Sequence, residues 1–154
     1  MNISEHITLK EAIRSNTAKR LGIENIPSEE EFSNMQVLAK TIFEPLRMHF
    51  GEPIYISSFY RCKQLNKAIG GSKNSQHCEG KAIDIDDVYS KTTNADFFNY
   101  IKDRLDFDQL IWEFGNDEQP DWVHVSYNLG NNRRRVLKAI KENGRTKYID
   151  ITNE

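Results

Sequence analysis

The sequence predicts an α+β fold in which N-terminal helices pack on a small, mainly antiparallel sheet. Three observations lead there. Apolar residues recur at helical spacing over the first fifty positions, short β-type runs take over from Ile54, and a two-residue hairpin signal stands near the C-terminus. Helices segregated from strands make α+β rather than an alternating α/β fold.

Each element has its own signal. Thr8 with Glu11 forms a capping box, and Leu9, Ala12 and Ile13 start an apolar stripe that ends near Gly22. Ser28 with Glu31 forms a second box. It opens a longer helix, with Phe32, Met35, Leu38, Ile42 and Leu46 at helical spacing, that ends before Gly51. Pro45 is expected to kink that helix or break its last turns. Residues 54–60 (IYISSFY), 81–86 (KAIDID), 109–114 (QLIWEF) and 122–127 (WVHVSY) read as strands. Residues 61–69 and 94–105 read as intervening helices, the second capped by Asn94. Asn143-Gly144, between β-type runs at 136–140 and 148–151, signals a hairpin.

The bulk properties narrow the classes. A chain of 154 residues is one ordinary domain, long enough to bury a core. It divides into a helical part (1–52), a central part (53–128) and a basic C-terminal hairpin (133–152). The 38% hydrophobic and 29% charged fractions exclude a disordered chain. No apolar run approaches the roughly 20 residues that span a bilayer. A formal net charge of -2 and the lack of a nucleic-acid motif argue against a specific nucleic-acid partner. Charge is unevenly spread, with Arg133, Arg134, Arg135, Lys138, Lys141, Arg145 and Lys147 set against Glu142 alone. That run is either a solvated face or a contact for an anionic surface. Cys62 and Cys78 form no CxxC pair, which excludes a zinc ribbon and a thioredoxin-like motif and leaves two free thiols as the default.

Two stretches carry chemistry. In Ser75-Gln76-His77-Cys78-Glu79-Gly80-Lys81-Ala82-Ile83-Asp84, a loop histidine precedes a strand aspartate, so both can aim at one point. Gly80 lets the backbone pass close, and Ala82 leaves room beside the carboxylate. In Trp122-Val123-His124-Val125-Ser126, alternation places Trp122, His124 and Ser126 on one face. Two imidazoles and a carboxylate, His77, Asp84 and His124, form the ligand set of a catalytic zinc site with a fourth position for water. Such a metal brings the pKa of water to about 7. Non-haem iron uses the same donors, but no co-substrate site is evident. Gly70-Gly71-Ser72-Lys73 does not satisfy the P-loop pattern, and the acidic run at Asp84, Asp86 and Asp87 lacks EF-hand spacing.

The motif SxHxxGxAxD, followed downstream by a histidine in a short apolar strand, resembles the zinc D-Ala-D-Ala carboxypeptidases and related peptidoglycan endopeptidases. That group includes phage endolysins and the dipeptidases of vancomycin resistance, and its fold is shared with the Hedgehog signalling domain. The resemblance extends through Ser58-Phe59-Tyr60-Arg61, Asn66 and Gly70-Gly71-Ser72. It implies a metallopeptidase with one Zn2+ held by His77, Asp84 and His124, hydrolysing peptidoglycan stem peptides by attack of a zinc-activated water. It further implies a general base at Asp121, three positions before His124, with Glu113 as the competing carboxylate. Arg61 would hold the substrate carboxylate or the developing oxyanion. Ser75 would hydrogen-bond behind the ligands or bind substrate, and Trp122 and Tyr127, with Trp112, would wall the cleft. The expected partner is a peptidoglycan peptide, with Arg133, Arg134 and Arg135 adding affinity for anionic cell wall. The N-terminus has no basic-then-apolar signal pattern, so synthesis in the cytoplasm is expected, with action on wall precursors there or on the wall after release. The alternative is a non-catalytic zinc-containing binding module of the same fold.

Overall fold

Two short strands that no sequence pattern announces begin the chain in the computed structural model, which describes all residues Met1–Glu154. β1 (Asn2–Ser4) and β2 (Ile7–Thr8) pair antiparallel. The Glu44 carboxylate accepts the Ser4 hydroxyl and the His6 amide, tying this small sheet to a later helix. The first apolar stripe is two helices, α1 (Leu9–Ile13) and α2 (Asn16–Leu21), each with its own cap: the Thr8–Glu11 box and the Ser15 hydroxyl. The second capping box opens α3 (Glu29–Leu38) as expected.

Pro45 neither breaks nor ends the helix that follows. Residues Ala39–Phe43 widen into a π turn, and α4 (Glu44–Phe50) continues with Pro45 in its first turn. The wider turn moves the missing N–H to where a helix needs no donor.

The remaining elements are β3 (Tyr55–Ser58), α5 (Lys63–Ala68), β4 (Ala82–Asp86), α6 (Asn94–Arg104), β5 (Gln109–Glu113), β6 (Trp122–Ser126), β7 (Arg135–Glu142) and β8 (Arg145–Asp150). The cap of α6 is Thr93, not Asn94: Thr93 and Asp96 exchange bonds in a third capping box. Asn94 lies one position inside. Its amide donates to the Asp86 carboxylate and to the carbonyls of Pro120 and Asp121, clipping α6 to β4 and to the β5–β6 loop.

β3 to β8 form one sheet in the order β3-β4-β6-β5-β7-β8. All neighbours are antiparallel except β5 and β7. The parallel pair arises because the chain leaves β6 and crosses the start of β5 before entering β7. Asp108 anchors that crossing. Its buried carboxylate accepts the Arg133 amide and guanidinium, and its carbonyl accepts the Arg135 amide. At the far end, Asn143 and Gly144 have φ of 54° and 76°, as a tight primed hairpin turn requires.

Alternation sorts the two faces of the sheet. Ile83 and Ile85 of β4, Val123 and Val125 of β6, and Leu110 of β5 join Met35, Leu38, Ile42, Phe43, Phe97 and Ile101 of the helices in the main core. The opposite face carries Asp84, His124 and Glu113 beside a small apolar cluster of Ile111, Leu137 and Ala139. No helix is long and apolar enough to cross a membrane.

The helical part is joined to the sheet by Asn25, a buried residue. Its amide donates to the Ile13 and Tyr60 carbonyls at 3.0 and 2.9 Å, and its oxygen accepts the Cys62 amide at 2.7 Å. Replacing it would strand three buried backbone groups. Asn25→Ala is expected to cost about 3 kcal/mol in urea unfolding, whereas substitution of the exposed Glu24 should leave the midpoint unchanged.

Candidate active site

Antiparallel pairing of β4 and β6 sets Asp84 directly opposite His124 on the polar face of the sheet. Asp84 Oδ1 lies 2.9 Å from His124 Nδ1. His77 comes from a 3-10 turn, Gln76–Glu79, that enters β4, and its Nε2 stands 3.3 Å from Asp84 Oδ2. The two imidazole rings face each other edge-on, with centroids 5.2 Å apart. One ligand atom from each residue lies within 4.8 Å of the other two.

The 3-10 turn is held in three ways. Ser75 caps it, its hydroxyl accepting the His77 amide, while the Gly80 amide closes it on the carbonyls of Gln76 and His77. Gln76 donates to Asp108, so the same carboxylate that anchors the β7 crossing also steadies this turn. Gly80 has φ +71°, and an added Cβ would stand 2.4 Å from the Glu31 carbonyl oxygen.

Hydrogen bonding fixes the form of His77. Its Nδ1–H donates to the Phe59 carbonyl at 2.7 Å, so Nε2 carries the lone pair. Burial disfavours the doubly protonated ring and lowers its pKa, against the pull of Asp84. Burial also opposes ionisation of Asp84, but the two imidazoles outweigh it and hold the carboxyl far below the ordinary range. Nε2 is buried without a hydrogen-bond partner. A lone pair therefore faces a carboxylate at close range, an arrangement that a cation between them relieves. Two nitrogen donors and one oxygen donor suit zinc with an open position. The residues fit the metal.

A cleft of about 630 Å³ opens over these groups. Of the residues singled out from sequence, Arg61, Ser75, Glu113 and Trp122 line it beside His77, Asp84 and His124. Arg61 reaches Ser75 Oγ at 3.4 Å through Nη2, and its Nε is buried without a partner. Ser75 thus braces both a ligand and the arginine.

The two candidate carboxylates are placed differently. Glu113 lies on the same face as His124, diagonally across the β5–β6 ladder, and is buried at the cleft wall. Burial pushes its carboxyl up to about 7, against the pull of His124 and Arg61 and with a further push from Asp84. Asp121 is the last residue of the β5–β6 loop (114–121), exposed and outside the cleft lining. Its amide donates to the Glu113 carbonyl, which closes the base of the loop. Tyr127 is also outside the lining: it packs against the main core, and its amide bonds to Lys81 across the end of the β4–β6 ladder. Trp112 packs edge-on against Phe98 in the core and donates its indole N–H to Asn116.

Sequence reading missed the opposite wall, formed by Phe114, Leu137, Lys141, Thr146 and Tyr148. The sequence marked this segment only as a hairpin and a basic run that includes Lys141, and nothing local tells which strand β7 will join. The basic run is largely spent internally. Arg133 pairs with Asp108, Arg134 with Asp106, Arg135 with Asp150, Lys138 with Asp117 and Lys147 with Glu142. Cys62 and Cys78 are free thiols, and Cys62 caps α5.

A family model described as peptidase M15 matches residues 5–126. It spans His77, Asp84 and His124, the three candidate ligands, with Arg61 and Glu113, and stops at the end of β6. No curated protein matches the chain.

Gly80 and Gly144 separate two costs of a side chain at positive φ. Gly144→Ala meets open space and should lose only the left-handed backbone cost of about 1–2 kcal/mol. Gly80→Ala also collides with backbone, so a larger loss in urea unfolding is expected, together with reduced zinc content by atomic absorption.

Proposed function

We infer, from the premise that the chain belongs to the peptidase M15 family, that it is a zinc metallopeptidase hydrolysing peptide bonds of bacterial peptidoglycan stem peptides. The observation that carries this reading is the buried His77 lone pair, aimed with Asp84 and His124 at one point in an open cleft with Glu113 alongside. Bound by these three residues, zinc supplies Lewis acidity that polarises a carbonyl group and acidifies water at neutral pH.

The protein's own groups supply the rest. Glu113 is the general base in this reading. A carboxyl whose pKa stands at about 7 can take a proton from water and return it to the leaving amine. Its seat in the cleft favours it over Asp121, whose side chain lies outside. Arg61, braced by Ser75, offers a fixed charged fork to a substrate carboxylate or to the oxygen that gains charge during attack. Trp122 and Phe114, with rings tilted and 5.5 Å apart, give an apolar wall that keeps the peptide extended. A structural zinc site would be closed by protein ligands and would not need an ionisable group at its mouth.

The bond cut is either the terminal D-Ala-D-Ala bond or an internal bond of the stem, and product masses distinguish the two. Purified peptidoglycan should be digested with wild type, His77→Ala, Glu113→Gln and Asp121→Asn, with zinc content measured in each. Wild type and Asp121→Asn are expected to hold one zinc and cleave, and His77→Ala to lose both. Glu113→Gln should keep its zinc and lose activity by about 10²–10⁴-fold. Stoichiometric zinc without cleavage of any wall type would overturn the enzyme reading.

A further inference from the structure

The hairpin of β7 and β8 lies beyond the residues matched by the family model, yet it forms one wall of the cleft. We propose that Lys141, Thr146 and Tyr148 form a second anion subsite there, which binds a substrate carboxylate on the opposite side of the metal ligands from Arg61. This deepens the peptidase reading and rests on it.

Strand order places the groups. Arg61 follows β3 at one edge of the sheet, Asp84 and His124 stand on β4 and β6, Glu113 on β5, and the hairpin forms the other edge. Trp122, Glu113, Ala139 and Tyr148 are successive partners in one row across β6, β5, β7 and β8. Ala139 is small and fully buried, so Glu113 and Tyr148 flank the cleft floor with only a methyl group between them. Lys141 and Thr146 are partners in the next row on the same face.

Lys141 is the cation in this wall whose charge is not spent. It faces no carboxylate within ion-pair reach, unlike Arg133, Arg134, Arg135, Lys138 and Lys147. It is nevertheless held: its ammonium donates to Thr146 Oγ1 at 3.2 Å and lies 5.3 Å from the centre of the Phe114 ring. Phe114 adopts φ 58°, uncommon for a bulky residue, and this conformation sets the ring between Trp122 and Lys141. Burial, with Glu113 and Asp84 near, raises the Tyr148 pKa and keeps the phenol a donor. One ammonium and two hydroxyls suit the two oxygens of a carboxylate.

The spacing sets the substrate class. From β4 to β8 is four strand spacings, roughly 19 Å, or about five residues of extended chain. The cleft therefore suits an extended peptide with one carboxylate near Arg61 and another several residues away. A stem peptide carries two such carboxylates, the C-terminal one and, three residues before it, the α-carboxylate of its D-Glu, which the γ-linkage sets further along the chain.

The probe is the pentapeptide L-Ala-γ-D-Glu-L-Lys-D-Ala-D-Ala, made with both carboxylates free, with the D-Glu carboxylate amidated, or with the C-terminus amidated. Binding to zinc-loaded wild type, Lys141→Met and Tyr148→Phe is measured by titration calorimetry, and turnover is followed in parallel. Amidation at D-Glu should weaken wild-type binding about tenfold and leave Lys141→Met nearly unaffected. Tyr148→Phe should lose about threefold on the free acid. C-terminal amidation should weaken all three proteins alike. If Lys141→Met keeps the full wild-type penalty for amidation at D-Glu, the subsite is overturned. If the peptides bind with this pattern but stay uncut, the hydrolase reading fails while the subsite stands.

Discussion

The hydrogen bond from His77 Nδ1 to the Phe59 carbonyl is the contact on which the arrangement of the site depends. It consumes the one proton that a neutral buried imidazole carries, so the second nitrogen must present a lone pair. That lone pair meets the Asp84 carboxylate, and only a cation makes their proximity favourable. Much of the local structure serves this bond. The carbonyl follows β3, which pairs with β4, and the imidazole leaves a turn that runs into β4. Ser75 caps the turn, Gly80 lets it pass the α3 backbone, and Asn25 holds the chain on either side of Arg61. A structural contact and a chemical one are the same bond.

A second organising charge lies on the other side of the cleft. Asp108 is fully buried, and burial opposes its charge, yet its bonds from Arg133 and Gln76 bring its pKa down to about 2. Its partners sit on segments remote in sequence, one beside His77 and one at the entry to β7. The carboxylate therefore couples the position of a ligand-bearing turn to that of the hairpin wall. Electrostatics along the cleft alternate as a result: Arg61, then the carboxylates of Asp84 and Glu113, then Lys141. A substrate with separated carboxylates is complementary to that order.

Sequence periodicity and capping chemistry made the helices and the four central strands legible, because capping boxes and alternation are local properties. The candidate triad of His77, Asp84 and His124 was legible for the same reason, since one loop and two strand positions suffice to define it, and the structure brings the three side chains together. What escaped was non-local. The π turn that accommodates Pro45 depends on packing, and the Thr93 cap outcompetes Asn94 because Asn94 is drawn to Asp86 and Pro120 instead. Asp121 was preferred on spacing along the chain, but it closes the β5–β6 loop, exposed and outside the cleft lining, while strand pleating sets Glu113 on the face of His124. Lys141 showed in the sequence only as one charge of the basic run, and Tyr148 only as part of a β-type run; neither was read as lining the cleft. The place of these side chains follows from the parallel pairing of β7 with β5, to which Asp108 ties Arg133, 25 residues later in the chain.

The hairpin turn at Asn143 and Gly144 leaves β8 as a free edge whose six residues are all exposed. Such a strand contributes little to the core, so its cleft-facing side chains can change without unfolding the residues of the proposed metal site. Arg145, Lys147 and Asp150 along that edge also discourage pairing with another chain. The protein thereby separates the parts that natural selection can alter cheaply from those it cannot. In the proposed peptidase the reaction chemistry is locked into the buried strands, while the proposed carboxylate subsite sits on a strand with latitude to vary.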